Sequence, residues 1–108
     1  MPSGDSAPFV FEAAIIYWRG PSPFFYAPVP EAHLPRLRRL ARAATYGWGV
    51  VPVEARINGG PLFKTSLFPK DGTFLLPLKA KVRQAADITA GDLIAVEMTV
   101  QGITGTLY

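Results

Sequence analysis

The sequence contains no cysteine and only one histidine, His33. Without cysteine there is no disulfide framework and no thiolate chemistry. With a single histidine as well, the usual nitrogen and sulfur ligands of a zinc site are missing. A serine-type triad would have to use His33 as its base, and no G-x-S-x-G turn is present to carry a nucleophile. Asn58-Gly59-Gly60-Pro61 lacks the lysine and following helix of a phosphate-binding loop. No catalytic residue, metal ligand or cofactor is therefore assigned.

Long apolar runs are also absent. Nothing approaches the roughly 20 residues a membrane-crossing helix needs, so no membrane partner is expected. Met1 to Pro8 is small and polar and carries neither the basic cluster nor the apolar segment of a signal peptide. It reads as a flexible lead-in to one domain spanning 9–108, a length that suits a single core. The lack of cysteine fits a reducing, cytoplasmic setting.

What is present is apolar and β-prone. Hydrophobic residues make up 49% of the 108, and the net charge is +3. This mild excess permits an acidic partner or nucleic acid without requiring either. Phe9 to Trp18 is aromatic and β-branched, as strands are. Phe24 to Val29 reads as a second strand, with Pro28 placing it at an edge. Pro30 to Thr45 repeats Leu34, Leu37, Leu40, Ala41 and Ala44 at helical spacing. Pro35 suits its first turn, and Gly47 its left-handed end. Val50 to Ile57 and Pro61 to Phe68 flank Asn58-Gly59-Gly60, a strong hairpin signal. Pro69 to Gly72 reads as a turn, Thr73 to Leu76 as a strand and Leu78 to Ala86 as a short helix. Leu93 to Val100 alternates, with Ile94, Val96 and Met98 on one face. Ile103 to Tyr108 reads as a last strand.

Two parts of this pattern are alike. At a shift of 43 residues Val53-Glu54 falls on Val96-Glu97, Ile57 on Val100 and Gly59 on Gly102. Pro30 and Pro77 each precede a helix. Each half is expected to run strand, proline, helix, strand, glycine turn, strand. Such a duplication implies a pseudo-twofold axis and a barrel that hides its sheet edges. The predicted fold is mostly β: a double-split β-barrel from two pseudo-repeated halves, with about seven strands and two short helices.

Several segments carry a family resemblance. They are Val29-Pro30-Glu31, the stretch Gly49 to Gly60, Phe63 to Pro69, Leu76 to Ala80, Val82-Arg83 and Gly91-Asp92. In this order and spacing they resemble the bacterial family called domain of unknown function 1905. The resemblance implies a double-split barrel and no known activity. The family tends to have Ala-Gly where this chain has Ala86-Asp87; aspartate tolerates the left-handed geometry of a helix end. Leu76 to Met98 is also similar to the swapped-hairpin barrels of AbrB-like transcription factors and MazE-like antitoxins, which implies a shared fold rather than a function.

Charge placement supplies the remaining candidates. Arg36, Arg38, Arg39 and Arg42 lie on the first helix, and Lys79, Lys81 and Arg83 on the second, seven of the eleven basic residues. On one side of the barrel they would make a phosphate-binding surface; separately they would be solvated helix faces. Trp18, Tyr26 and Trp48 fall at strand ends or turns, where aromatics line pockets or cap a barrel. Glu54 and Glu97, equivalent in the repeat, could meet near its axis as an acid–base pair or could each be a surface residue. Three functions follow: a non-catalytic module binding a small ligand or a protein partner, a nucleic-acid binder using the basic helices, and an enzyme of unspecified reaction. The thin set of ionisable groups places the first ahead.

Overall fold

A computed structural model of the chain describes residues 7–20, 24–44 and 50–101. In order, its elements are β1 (Phe9–Ala14), β2 (Ile16–Trp18), β3 (Phe24–Pro28), α1 (Leu34–Ala44), β4 (Val51–Ile57), β5 (Phe63–Lys70), β6 (Thr73–Pro77), α2 (Ala80–Ala86) and β7 (Leu93–Val100). A 3-10 turn over Glu31–His33 leads into α1. The seven strands pair antiparallel in the order β1-β7-β4-β5-β6-β3-β2. β1 and β2 are separated only by Ile15, so both ends of this order lie on one stretch of chain and the sheet curls back on itself. The mostly-β fold with two short helices is as expected. Among the described residues, no helix is long and apolar enough to cross a membrane.

Alternation places the core. Phe9, Phe11 and Ala13 of β1 are buried, as are Val51, Val53, Ala55 and Ile57 of β4 and Ile94, Val96 and Met98 of β7. The residues between them are half-buried or exposed. Leu34, Leu37, Leu40 and Ala41 bury one stripe of α1 in the same cluster. The hairpin at Asn58-Gly59 forms as expected, with φ values of 51° and 73°. Positive φ at both positions is what a tight primed turn needs. Asp87 ends α2 in the left-handed region, its N–H donating to the Arg83 and Gln84 carbonyls.

Four expectations need correction. Phe9 to Trp18 is two strands, not one. The Ile15 N–H donates to the Asp92 carbonyl at 2.9 Å and its carbonyl accepts from the Gly91 N–H at 2.8 Å. That turn holds the strand where it changes partner, from β7 to β3. β5 continues through Pro69 and Lys70, opposite Phe74 and Thr73. The turn contracts to Asp71-Gly72, both at positive φ, because a two-residue primed turn matches strand twist. β6 likewise runs one residue further, to Pro77, which pairs with Tyr26. α2 begins at Ala80 because Leu78 is still extended, its N–H donating to the Phe25 carbonyl. The expected helix end at Gly47 and the expected last strand, Ile103 to Tyr108, lie outside the described residues.

The repeat is real in the pairing register, but its phase differs from the expected one. β4 and β7 pair with Ala55 opposite Met98, and these two are equivalent at the shift of 43. β3 and β6 pair with Pro28 opposite Leu75, equivalent at the shift that relates Pro30 to Pro77. A strand that meets its own counterpart antiparallel has a local twofold at that point. The same operation carries the Asn58 N–H to Ala95 carbonyl bond onto the Gln101 N–H to Pro52 carbonyl bond, both 2.8 Å. The counterpart of β5 is then the β1–β2 stretch. Phe9 faces Met98 as Phe63 faces Ala55, and Ile16 faces Tyr26 as Lys70 faces Thr73. One shift of 54 residues serves both ends. Among the described elements each half therefore runs strand, strand, helix, strand, over 9–57 and 63–100.

Candidate functional site

The aromatic candidates do not converge on one pocket. Tyr26 is buried between Phe24, stacked at 5.2 Å, and Phe68, edge-on at 5.1 Å. Burial pushes its phenol above the ordinary value because the charged form is poorly solvated there. Trp18 is 45% exposed, yet one face is covered by the Lys70 ammonium, 3.9 Å from a ring centroid. Gly20 lies against the same indole: a Cβ there would fall 2.6 Å from Trp18 Nε1. Gly20→Ala is thus expected to displace the indole. In a Trp48→Phe background this would register as a red-shifted, more quenchable tryptophan emission; an unchanged spectrum would refute the contact. Trp48 itself lies outside the described residues.

The basic candidates divide. On α1, Arg36 sits 3.8 Å over the Phe9 ring and donates to the Ala7 and Pro8 carbonyls. Arg38 donates to the Gly72 carbonyl at 2.6 Å. Arg39 is also engaged, and Arg42 is exposed. On α2, Arg83 donates from Nε to the Leu78 carbonyl at 3.0 Å and lies 3.8 Å over Phe25. Lys79 and Lys81 are exposed. So Arg36, Arg38 and Arg83 tie the helices to other parts of the chain, while Lys79 and Lys81 are exposed.

The carboxylates expected near the axis each gain a basic neighbour. Lys64 stands opposite Glu54, and Arg56 opposite Glu97, on the outer side of the sheet. That arrangement suits a solvated charge lattice better than a shared proton. His33 lies against the Phe9 and Phe11 rings at 5.9 and 5.6 Å, a packing position. Among the described residues, no three His, Cys, Asp or Glu side chains cluster as metal ligands.

A groove of about 610 Å³ opens between α2 and the β4–β5 hairpin. Its apolar floor is made by Ile57, Phe63, Val82 and Ala86, with Leu62 and Ala85 at the sides; Lys64, Lys79 and Lys81 also line it. No acidic residue does. Among the described residues, none of the three lysine side chains has a hydrogen bond or ion pair.

The broken repeat explains why the groove exists. In the first half, α1 is eleven residues long and sets three buried leucines into the core. Phe9, 1% exposed, is covered by His33 and Arg36. In the second half, α2 is seven residues long, alanine-rich and without a fully buried residue. Phe63, the counterpart of Phe9, is left half-buried with Val82 and Ala86 beside it. The sequence candidates included Lys79 and Lys81 but missed Lys64 and Phe63. The missing signal was the 54-residue equivalence of Phe9 and Phe63, which becomes visible only through the strand register.

No curated protein matches the chain. A family model, described as a domain of unknown function (DUF1905), matches residues 11–98. That span runs from β1 through β7 and takes in both halves of the repeat, the groove and α2, so the chain belongs to the DUF1905 family.

Proposed function

We propose that this domain is a non-catalytic binding module whose ligand lies in the groove between α2 and the β4–β5 hairpin. The observation that carries this reading is the asymmetry of the two halves. The first half covers Phe9 with its own side chains, whereas the second leaves Phe63, Val82 and Ala86 open to an occupant. The volume lies within the usual range for small-molecule sites, roughly 300–1,000 Å³. The lining holds lysines and a threonine but no carboxylate or histidine to activate them, which favours binding over catalysis. A cytoplasmic setting accords with the cysteine-free sequence.

The fluorescent probe anilinonaphthalenesulfonate tests the site. Saturable binding of one molecule per chain is expected. Ala85→Phe, a change at an exposed groove-side position of α2, should abolish it while leaving the unfolding midpoint unchanged. Equal binding by the variant would place the probe elsewhere and overturn the groove as the site.

Nucleic-acid binding is the lesser reading, because Arg36, Arg38 and Arg83 already donate to backbone carbonyls. A labelled single-stranded oligonucleotide is expected to give no saturable anisotropy change at about 50 mM salt. Binding there that falls steeply by about 200 mM would move the function to nucleic acid.

A further inference from the structure

We infer that the groove takes an organic anion with a compact apolar body: a carboxylate, sulfonate or phosphate monoester on an aromatic or aliphatic frame. This rests on the groove being the binding site and adds the chemical class of the occupant. The apolar part of the lining comes from two elements. Ile57 and Phe63 belong to the hairpin strands, and Val82 and Ala86 to α2. An occupant spanning them must present a continuous apolar surface to both, since the floor offers few polar partners and an unpaired polar group there would be costly.

The charged part of the lining is of one sign. Lys64 comes from β5, Lys79 from the residue before α2, and Lys81 from its first turn. Three lysines from separate places are among the residues lining one groove, with no carboxylate among them. The nearest acid by register is Glu54, opposite Lys64 on the sheet, and the pair forms no ion pair within 4 Å. Elsewhere basic residues are consumed locally: Arg36 and Arg83 lie over aromatic rings and donate to carbonyls, and Lys70 lies over Trp18 beside Asp71. The groove lysines have no such duty. An anionic head group satisfies them, and the apolar body covers Phe63 as His33 and Arg36 cover Phe9 in the other half.

Lysine is a compact point charge on a flexible stem, without the planar fork that arginine offers a carboxylate or phosphate. The three groups therefore discriminate by charge sign more than by head-group geometry. The proposed class is accordingly defined by charge and apolar body.

The test uses three molecules with the same ring system: naphthylacetate, naphthylethanol and naphthylmethylammonium. Each is titrated into isotope-labelled protein and followed by two-dimensional amide NMR. Naphthylacetate is expected to shift the Phe63, Val82 and Ala85 amides and to bind about tenfold more tightly than naphthylethanol, the effect of one or two exposed charge pairs. The advantage should shrink to about twofold in the K64Q/K79Q/K81Q variant. Equal binding of the alcohol, or preference for the ammonium, would overturn the anionic class while leaving the groove as the site. Failure of all three to move groove amides would overturn both.

Discussion

Leu37→Ala is expected to destabilise the domain by about 3 kcal/mol, the ordinary cost of emptying a fully buried leucine site. Leu37 is 0% exposed and lies mid-helix between Leu34 and Leu40 on the stripe that fixes α1 to the core. The cavity cannot close easily, because Arg36 and Arg38 on either side anchor the helix to Pro8 and Gly72. The unfolding midpoint should fall by on the order of 10 °C. Val82→Ala on α2 makes the contrast. Its side chain is half-buried at the edge of the groove, and its loss should cost only about 1 kcal/mol. Urea unfolding of the two variants measures both. Equal costs would contradict the asymmetry of the two helices on which the groove depends.

Asn58→Ala is expected to cost about 2 kcal/mol, and the loss should divide into two parts. Asn58 has φ of 51°, a left-handed backbone that alanine adopts at a cost of about 1 kcal/mol. Its Oδ1 also accepts the Ala95 N–H at 2.9 Å, while its own N–H donates to the Ala95 carbonyl. Removing the side chain leaves the Ala95 N–H without that acceptor, worth about a further 1 kcal/mol. Asn58→Gly restores the backbone freedom but not the acceptor, so it should lie about midway between wild type and alanine. Asn58→Asp keeps both and should be nearly neutral. Chemical denaturation of the three variants decides the matter; a glycine variant as stable as wild type would mean that the side-chain bond contributes nothing. Asn58 also borders the groove, so the alanine variant should weaken probe binding as well.

The asymmetric role of Asn58 follows from its counterpart. At the equivalent place on the other side of the twofold, Gln101 donates to the carbonyl of Pro52. Proline has no N–H, so nothing there needs an acceptor. The first half needs a side chain to complete the exchange and the second does not.

Much of this fold is legible along the chain. The alternation of Leu93 to Val100, the leucine stripe of α1, the Asn58-Gly59 turn and the aspartate at the end of α2 are local signals. Each is governed by the period of one element or the φ of one residue. What escapes is set by contacts distant in sequence. Nothing in Phe9 to Trp18 marks Ile15 as the point of exchange, because the bonds that hold it come from Gly91 and Asp92. Pro69 looks like a turn residue until Phe74 is seen opposite it. The phase of the repeat is hard to read because its clearest sequence match, Val53-Glu54 with Val96-Glu97, lies in the closing strand of each half. The opening strands of the two halves, β1–β2 and β5, have diverged, and Phe9 and Phe63 are related only through their pairing partners. The candidate site suffers most. Lysines at the start of a short helix and a half-buried phenylalanine on a strand are unremarkable separately, and only the docking of α2 beside the hairpin makes them one surface.

The course of β1 has a further consequence for synthesis on the ribosome. Its partner β7 is translated much later, with Phe9 paired to Met98. At roughly 5–20 residues per second, the two emerge on the order of ten seconds apart. During that interval β2 can pair with β3, which follows it closely, but β1 is a nearly uncharged, β-prone segment without a partner, the kind that recruits other chains. Glu12, the sole charge between Phe9 and Trp18, points outward on β1 and contributes nothing to the core. Its value lies before folding, as the residue that discourages a nascent strand from pairing with a neighbouring nascent chain.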